Sequence, residues 1–293
     1  MTSYEEKLEQ EAELWGNEAE HMAQKLPPNW QAHQELRHNR ILHGEHINKL
    51  LDTIQAGMTV VELGCGAGWF TLAMAQRGAD ALGLDISEKS LTVARDYYEG
   101  IQDSVSGTAT YAYADLNNLD LAPNTYDVIV VKATLHHLVN MRHVIENIHQ
   151  ALKPNGLFWI SDTLHDEAFS SVLMASAITF VMPTEVSYSE KFRGLAKFGL
   201  NAPERIKMSM EAEGLSPFEG AGRDHNWLEI MEEYFTIEQL TVHPAITGYV
   251  TAQLRLPDIL AMPFLKTLKV IDKGLVSLGI LQSSARVVYA RKV

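Results

Sequence analysis

The 293-residue chain contains one cysteine, Cys65. No intrachain disulfide can form, and the cysteine sets of structural zinc sites are missing. So little cysteine suits a reducing compartment, and a cytoplasmic location is expected. Long apolar runs are also missing. The longest, residues 169–182, falls short of the ~20 residues that span a bilayer. The opening stretch MTSYEEKLEQEAELWG is acidic and lacks the apolar centre of a signal peptide. Blocks of basic residues do not occur. Lys and Arg number 24 against 37 Asp and Glu, a net charge of -13. Bulk binding to nucleic acid or to an anionic membrane is therefore disfavoured. Repeats and low-complexity tracts are absent as well. What is present is a 46% hydrophobic chain, ample for one large core with an appended cap or lid.

The chain is organised around residues 59–68, TVVELGCGAG. The apolar, β-branched start reads as a short buried strand. A glycine turn follows, and WFTLAMAQR then takes up helical spacing. Strand, glycine turn and helix open a doubly wound α/β sheet. The glycines permit positive φ and let a ligand approach the main chain. The helix starting near Gly68 offers unpaired N–H groups to an anion. The next strand ends in Asp85, roughly 20 residues after the first glycine, where a carboxylate can bind ribose hydroxyls. The spacing is G-x-G-x-G, not the G-x-G-x-x-G of dinucleotide sites, which leaves an NAD-dehydrogenase as the structural rival. Glu62, two residues before Gly64, is placed to meet a cation. A nucleoside with an amino-acid tail fits this pattern better than a pyrophosphate.

With these residues in view the sequence resembles the class I S-adenosylmethionine-dependent methyltransferases, of the small-molecule (glycan and natural-product) type. VELGCGAGW and GLDIS are similar to their first two motifs. YADLNNL, DVIVVKATLHHL and LKPNGLFWISD are similar to the next three, in register over residues 40–165. The resemblance implies a seven-stranded, mostly parallel, Rossmann-like sheet whose last strand is inserted antiparallel. It implies S-adenosylmethionine as cofactor. Gly64, Cys65, Gly66 and Gly68 would line the methionine end, and Glu62 would approach the amino group. Asp85 and Ile86 would take the ribose. Asp115 would meet the adenine amino group, and Leu116 N–H a ring nitrogen. The main-chain carbonyl near Lys132 would receive the methionine ammonium. His137 would pack under the cofactor and bond backbone.

The parts divide as follows. Residues 1–50 read as an N-terminal helical cap, with a first helix from residue 3 to about 25. Residues 51–162 are the cofactor-binding core. Residues 163–218 leave the sheet rhythm and read as an inserted lid after the fifth strand. Residues 219–293 supply the C-terminal part of the core sheet. The turn at 216–219 (SPFE), the helix around Glu229 and Ile230, and the strand from Phe235 resemble methyltransferases of glycan and natural-product biosynthesis. His33, His38, His43 and His46 read as solvated or capping residues. No metal site is expected, since no matched ligand set accompanies them.

The chemistry belongs largely to the cofactor. For a hydroxyl acceptor a base helps, and His136 is the candidate, with Asp162 after the fifth strand orienting it. The expected function is methyl transfer to a small hydroxylated metabolite, with O-methylation favoured. The alternatives are N- or C-methylation by proximity, or a non-catalytic partner protein of the same fold. An RNA methyltransferase is disfavoured by the missing basic patch. Large apolar groups in the cap and insertion, among them Phe180 and Met182, are expected to cover an uncharged, partly apolar acceptor. The other uses for them are a packed helical layer that only extends the core, or a homodimer face on the insertion.

Overall fold

The computed structural model describes residues 3–166, 168–199, 216–218, 221 and 226–292. Its centre is a sheet built from the apolar runs of the sequence. The strands are β1 (Thr59–Leu63), β2 (Asp80–Asp85), β3 (Thr108–Tyr113), β4 (Tyr126–Lys132), β5 (Leu152–Thr163), β6 (Phe235–Val242) and β7 (Ala285–Lys292). Their order is β3-β2-β1-β4-β5-β7-β6. β1 to β5 are parallel, and β7 runs antiparallel between β5 and β6. The inner strands are covered on both faces, so β4 is apolar nearly throughout, whereas the edge strand β3 alternates exposed and buried.

The strand pleat splits the core in two. Val61, Ile129 and Val131 face one layer with α6 (Met141–Ala151). Val60, Val128 and Val130 face the other, with α3 (Gly44–Leu51) and α4 (Trp69–Ala75). Fully buried rings such as Phe70 and Trp159 stabilise this layer by about 2–3 kcal/mol each. The remaining core helix, α5 (Glu88–Glu99), starts at Ser87, whose hydroxyl accepts from Ser90 N.

Before the sheet come α1 (Tyr4–Lys25) and the short α2 (Trp30–His33). A capping box starts α1. Ser3 Oγ accepts from Glu6 N at 3.1 Å, and Ser3 N donates to Glu6 Oε2 at 2.8 Å. α1 lies along α5, pinned where Lys89 Nζ donates to Asn17 Oδ1 at 2.8 Å.

After β5 come α7 (Phe169–Val181) and α8 (Tyr188–Phe198), and before β6 comes α9 (Trp227–Tyr234). Between β6 and β7 lie α10 (Thr247–Gln253) and α11 (Asp258–Ser277). A third apolar cluster joins Ile41 and Leu42, Ala175 of α7, Val250 of α10 and Leu265 of α11. Buried Asp272 fastens it, accepting from Ala245 N, Ile246 N and Thr247 N at 2.9, 2.8 and 2.7 Å. The insertion thus packs with the helices between β6 and β7, a body that the fourfold division of the sequence does not anticipate. Residues 200–215 of the insertion lie outside the described residues. Among the described residues no helix is long and apolar enough to cross a membrane.

Candidate active site

Strand order reverses between β1 and β4, and the crevice beyond their carboxyl ends is where ligands bind in such sheets. The glycine turn closes one side. Gly64, Gly66 and Gly68 have φ of 76°, 52° and 77°, a region that disfavours any side chain. A Cβ on Gly64 would strike Thr134, whereas one on Gly66 would meet nothing within 4 Å. Gly66 therefore borders open space, which a side chain would take from a ligand. Asp85 is held by backbone: Gly66 N donates to Oδ2 at 2.8 Å and Ser87 N to Oδ1 at 2.9 Å. Burial raises its pKa, opposed by these N–H groups.

A cavity of about 290 Å³ fills this crevice. Gly64, Gly66, Asp85, Ile86, Asp115, Leu116 and His137 line it. Its roof is α1, through Leu8, Glu11, Trp15 and Met22, with Phe218 beside them. None of the described residues of α7 or α8 lines it. Phe180 instead packs on Phe192, with ring centroids 5.1 Å apart, and Met182 packs on the third cluster. Neither covers the cavity as expected: they extend a helical core, and among the described residues the cover is α1 with Phe218 of the insertion.

Other expected residues lie behind the wall. Cys65 is buried, and burial pushes its thiol pKa well up, so it is an inert packing group. Gly68 caps α4. That helix has only seven residues, too few for a strong N-terminal field toward an anion. Glu62 is buried beneath the turn, 2.5 Å from Thr71 Oγ1. Lys132 ends β4 on the same sheet face as Glu62.

The segment after β4 carries the histidines. Asp162 Oδ2 accepts from Thr134 N and Leu135 N at 2.7 and 2.6 Å, and its Oδ1 lies 2.6 Å from His136 Nδ1. The buried carboxylate thus fixes both the turn and the ring. With Nδ1 as the donor, Nε2 carries the ring's lone pair. Burial alone would raise the Asp162 pKa, but the His136 contact and the two N–H groups outweigh it and leave it lowered.

His137, expected to bond backbone, has Nδ1 3.1 Å from Ser216 Oγ and 3.3 Å from Glu11 Oε1. Trp15 stands edge-on to it, with centroids 5.5 Å apart, and donates to Glu11 Oε1 at 2.7 Å. At the other end of α1, Tyr4 OH donates to Asp115. Sequence reasoning placed α1 over the site but missed Tyr4, Glu11 and Ser216. The recurrence of aromatic and acidic residues along α1 was the only signal available.

The N-terminal histidines are less solvated than expected. His33 stacks on Trp69, 5.0 Å between centroids, and His43 meets the buried His243 at 5.1 Å. Among the described residues no group of three or more His, Cys, Asp or Glu side chains could hold a metal.

The carboxylates of Asp85 and Asp115 line the crevice, and open space lies over Gly66. Residues 61–160 match the family described as methyltransferase domain. The ubiquinone biosynthesis O-methyltransferase of Azoarcus sp. (strain BH72) is 36% identical over 108 residues, 36% of this chain and 44% of that protein. The match thus spans less than half of that relative's length. A solved S-adenosylmethionine-dependent methyltransferase from Mesorhizobium loti covers 88% of this chain and 99% of its own, at 20% identity and a TM-score of 0.53. A geranyl diphosphate methyltransferase structure covers 85% of this chain and 78% of its own, at 14% identity and 0.52. These two similarities carry the fold alone. Residues 61–160 thus match a methyltransferase domain, set in a sheet whose strand order and overall fold are those of the solved S-adenosylmethionine-dependent methyltransferase.

Proposed function

We propose that this protein transfers a methyl group from S-adenosylmethionine to a hydroxyl of a small metabolite, with His136 taking the hydroxyl proton. The observation that carries this is the 2.6 Å contact of His136 Nδ1 with Asp162 Oδ1 at the ends of β4 and β5. His136 lies two residues after Thr134, which with Ala133 lines the cavity. The bound cofactor supplies a methyl group already activated on a sulfonium. The chain's own work is then positioning and proton removal. Gly66 leaves room for the cofactor and Asp85 receives the ribose. Asp115 and Leu116 hold the base, and Glu62 and the Lys132 carbonyl face the amino-acid tail. Asp162 keeps the His136 lone pair on Nε2. α1 excludes water from above. The curated relatives are O-methyltransferases by name, which favours oxygen as the acceptor atom. The acceptor is a small molecule and not a nucleic acid, in keeping with the net charge of -13. The single buried thiol suits a reducing cytoplasm.

A second reading, N- or C-methylation by proximity alone, draws on one observation: His137 lines the cavity and His136 does not. Two measurements decide. Calorimetric titration with S-adenosylhomocysteine tests the cofactor site. A panel of phenols, catechols and sugars, read by mass spectrometry for the mass of one methylene, tests the acceptor. Cofactor binding with His136-dependent O-methylation is expected. No cofactor binding, or methylation that survives His136→Ala undiminished, would overturn the corresponding half.

A further inference from the structure

We propose that Lys132, Trp69 and His33 form a subsite for an anionic group, a carboxylate or a phosphate, carried by the acceptor. The proposal deepens the methyl-transfer reading and rests on it. Lys132 is the last residue of β4, and the next residue, Ala133, lines the cavity. Its side chain turns toward the face that holds α2 and α4. Nζ lies 5.9 Å from the centre of the Trp69 ring, and Trp69 stacks on His33 at 5.0 Å and 16°. Trp69 and His33 also line the cavity, so the cavity reaches this group.

The lysine is short of a partner. Among the described residues no carboxylate or carbonyl oxygen hydrogen-bonds or ion-pairs with Nζ. Lys153, by contrast, reaches Asp127 at 2.7 Å, and Lys191 reaches the carbonyls of Thr179 and Met182 at 2.7 Å. A half-buried ammonium with no carboxylate in direct contact is costly, which favours any anion that can reach it. Burial lowers the Lys132 pKa, while Glu62 and Asp162 pull it back up. Both carboxyls are engaged elsewhere, Glu62 with Thr71 and Asp162 with His136 and two backbone N–H groups. Glu62 is also pushed up to about 8, chiefly by burial, so at neutral pH it is mostly uncharged.

The rest of the surroundings offers donors. Burial, with His38 and Lys132 behind it, brings His33 down to about 4. A neutral imidazole still carries one N–H to donate. Behind it His43 Nδ1 and His243 Nε2 are buried without hydrogen-bond partners, and His243 is 6% exposed. An ammonium with imidazole N–H donors beside a cavity suits an anionic group, whereas the sequence led to the expectation of an uncharged acceptor. Four separate chain segments build the subsite, so spacing in the sequence gives no sign of it.

The cofactor's own tail is a second carboxylate, and the test must separate the two. Benzoate and inorganic phosphate serve as probes, titrated into the full chain with and without S-adenosylhomocysteine and followed by tryptophan fluorescence. Fragments of this size should bind with dissociation constants of about 1–10 mM. Lys132→Met should weaken the better probe about tenfold or more, and Lys132→Arg should retain most of the binding. Lys132→Met removes an unpaired buried charge, so its Tm should equal or exceed that of the parent. The loss for the probe should exceed the loss for S-adenosylhomocysteine by about fivefold or more. Whether benzoate or phosphate binds more tightly identifies the anion. Absence of saturable binding by both probes overturns the subsite. An equal loss for probe and S-adenosylhomocysteine overturns it too, because Lys132 then serves the cofactor. Lys132-dependent probe binding in a protein that ignores S-adenosylhomocysteine would keep the anion site and sink the methyl-transfer reading instead.

Discussion

Tyr4 donates its hydroxyl to both carboxylate oxygens of Asp115, at 3.0 and 2.8 Å, and so ties the first turn of α1 to the end of β3. The same carboxylate accepts from Asn117 N and Asn118 Nδ2. Roof and floor of the cavity are thus fastened at the end proposed for the adenine. Burial, and then Asp115, push the Tyr4 pKa up to about 12, so the hydroxyl stays a donor at any working pH. A ligand enclosed under α1 must wait for this latch to open. A hydrogen bond to a charged group contributes about 1.5–3 kcal/mol, less at a partly exposed site. Tyr4→Phe should therefore raise the association and dissociation rates of S-adenosylhomocysteine by about 3–10-fold. Stopped-flow fluorescence, with Trp15 as reporter, measures both. Identical rates in the variant would show that α1 does not gate the site.

Gly64 and Gly66 separate stability from binding. A side chain on Gly64 must displace Thr134, whose backbone N–H is held by Asp162. Gly64→Ala should lower stability by about 2–4 kcal/mol through clash and positive φ. A side chain on Gly66 points into space. Gly66→Val should cost only the about 1–2 kcal/mol of its backbone conformation, yet remove cofactor binding by filling the cradle. Thermal unfolding and calorimetry on the pair test the contrast. Micromolar affinity retained by Gly66→Val would move the cofactor elsewhere.

His136 and Asp162 should divide differently. His136→Ala should lower turnover by about 10²–10⁴-fold, the usual contribution of a general base, with little effect on S-adenosylhomocysteine affinity. Asp162→Asn should lower turnover and stability together, because Asp162 also holds the turn through Thr134 N and Leu135 N. The pH sign follows from its lowered pKa. The carboxylate's contribution to stability is present above the ordinary value of 3.8 and is lost as pH falls through the lower folded value. The parent should therefore lose stability below about pH 4 more steeply than Asp162→Asn. Parallel acid unfolding curves would remove Asp162 from this role.

The parts of the molecule legible in the sequence are those whose cause is local. The glycine turn, Asp85 and the apolar strands announce themselves through backbone geometry and short-range pattern. The turn after β4 was legible too, since His136 follows β4 closely and Asp162 stands near the end of the neighbouring β5. Contacts made across the fold were not. Tyr4 and Asp115 are 111 residues apart in the chain, and nothing near Tyr4 marks it from any other helix-start tyrosine. Glu11 sits among other acids of α1, yet folding buries it beside His137. Phe180 and Met182 erred in the other direction. Large apolar residues in an insertion fit a lid and a second core equally well, and only the helices between β6 and β7 decide for the core.

If Glu62 faces the cofactor's tail as proposed, cofactor binding should be a proton-coupled event. It is 3% exposed, and burial pushes its pKa up to about 8 against the opposing pull of Thr71 and Lys132. The carboxyl is thus mostly protonated near pH 7 in the free protein. Receiving the ammonium of the cofactor's tail, as proposed, requires it to ionise, so one proton leaves for each molecule bound. Affinity should rise with pH by up to about tenfold per unit between about 5 and 8. It should level off there, where α-amino groups of pKa about 7.7–8.0 begin to lose their own proton. The folding sign runs the other way. A raised carboxyl pKa contributes stability that is full below the ordinary 4.5 and declines as pH rises to about 8. Glu62→Gln should flatten both dependences, weaken binding most at pH 8, and raise Tm relative to the parent at that pH. Calorimetry with S-adenosylhomocysteine in phosphate and in Tris, whose ionisation heats differ, counts the proton directly. An affinity independent of pH in the parent protein would mean that the ammonium is held by carbonyl oxygens alone, and that Glu62 is a buried acid serving only Thr71 and the turn above it.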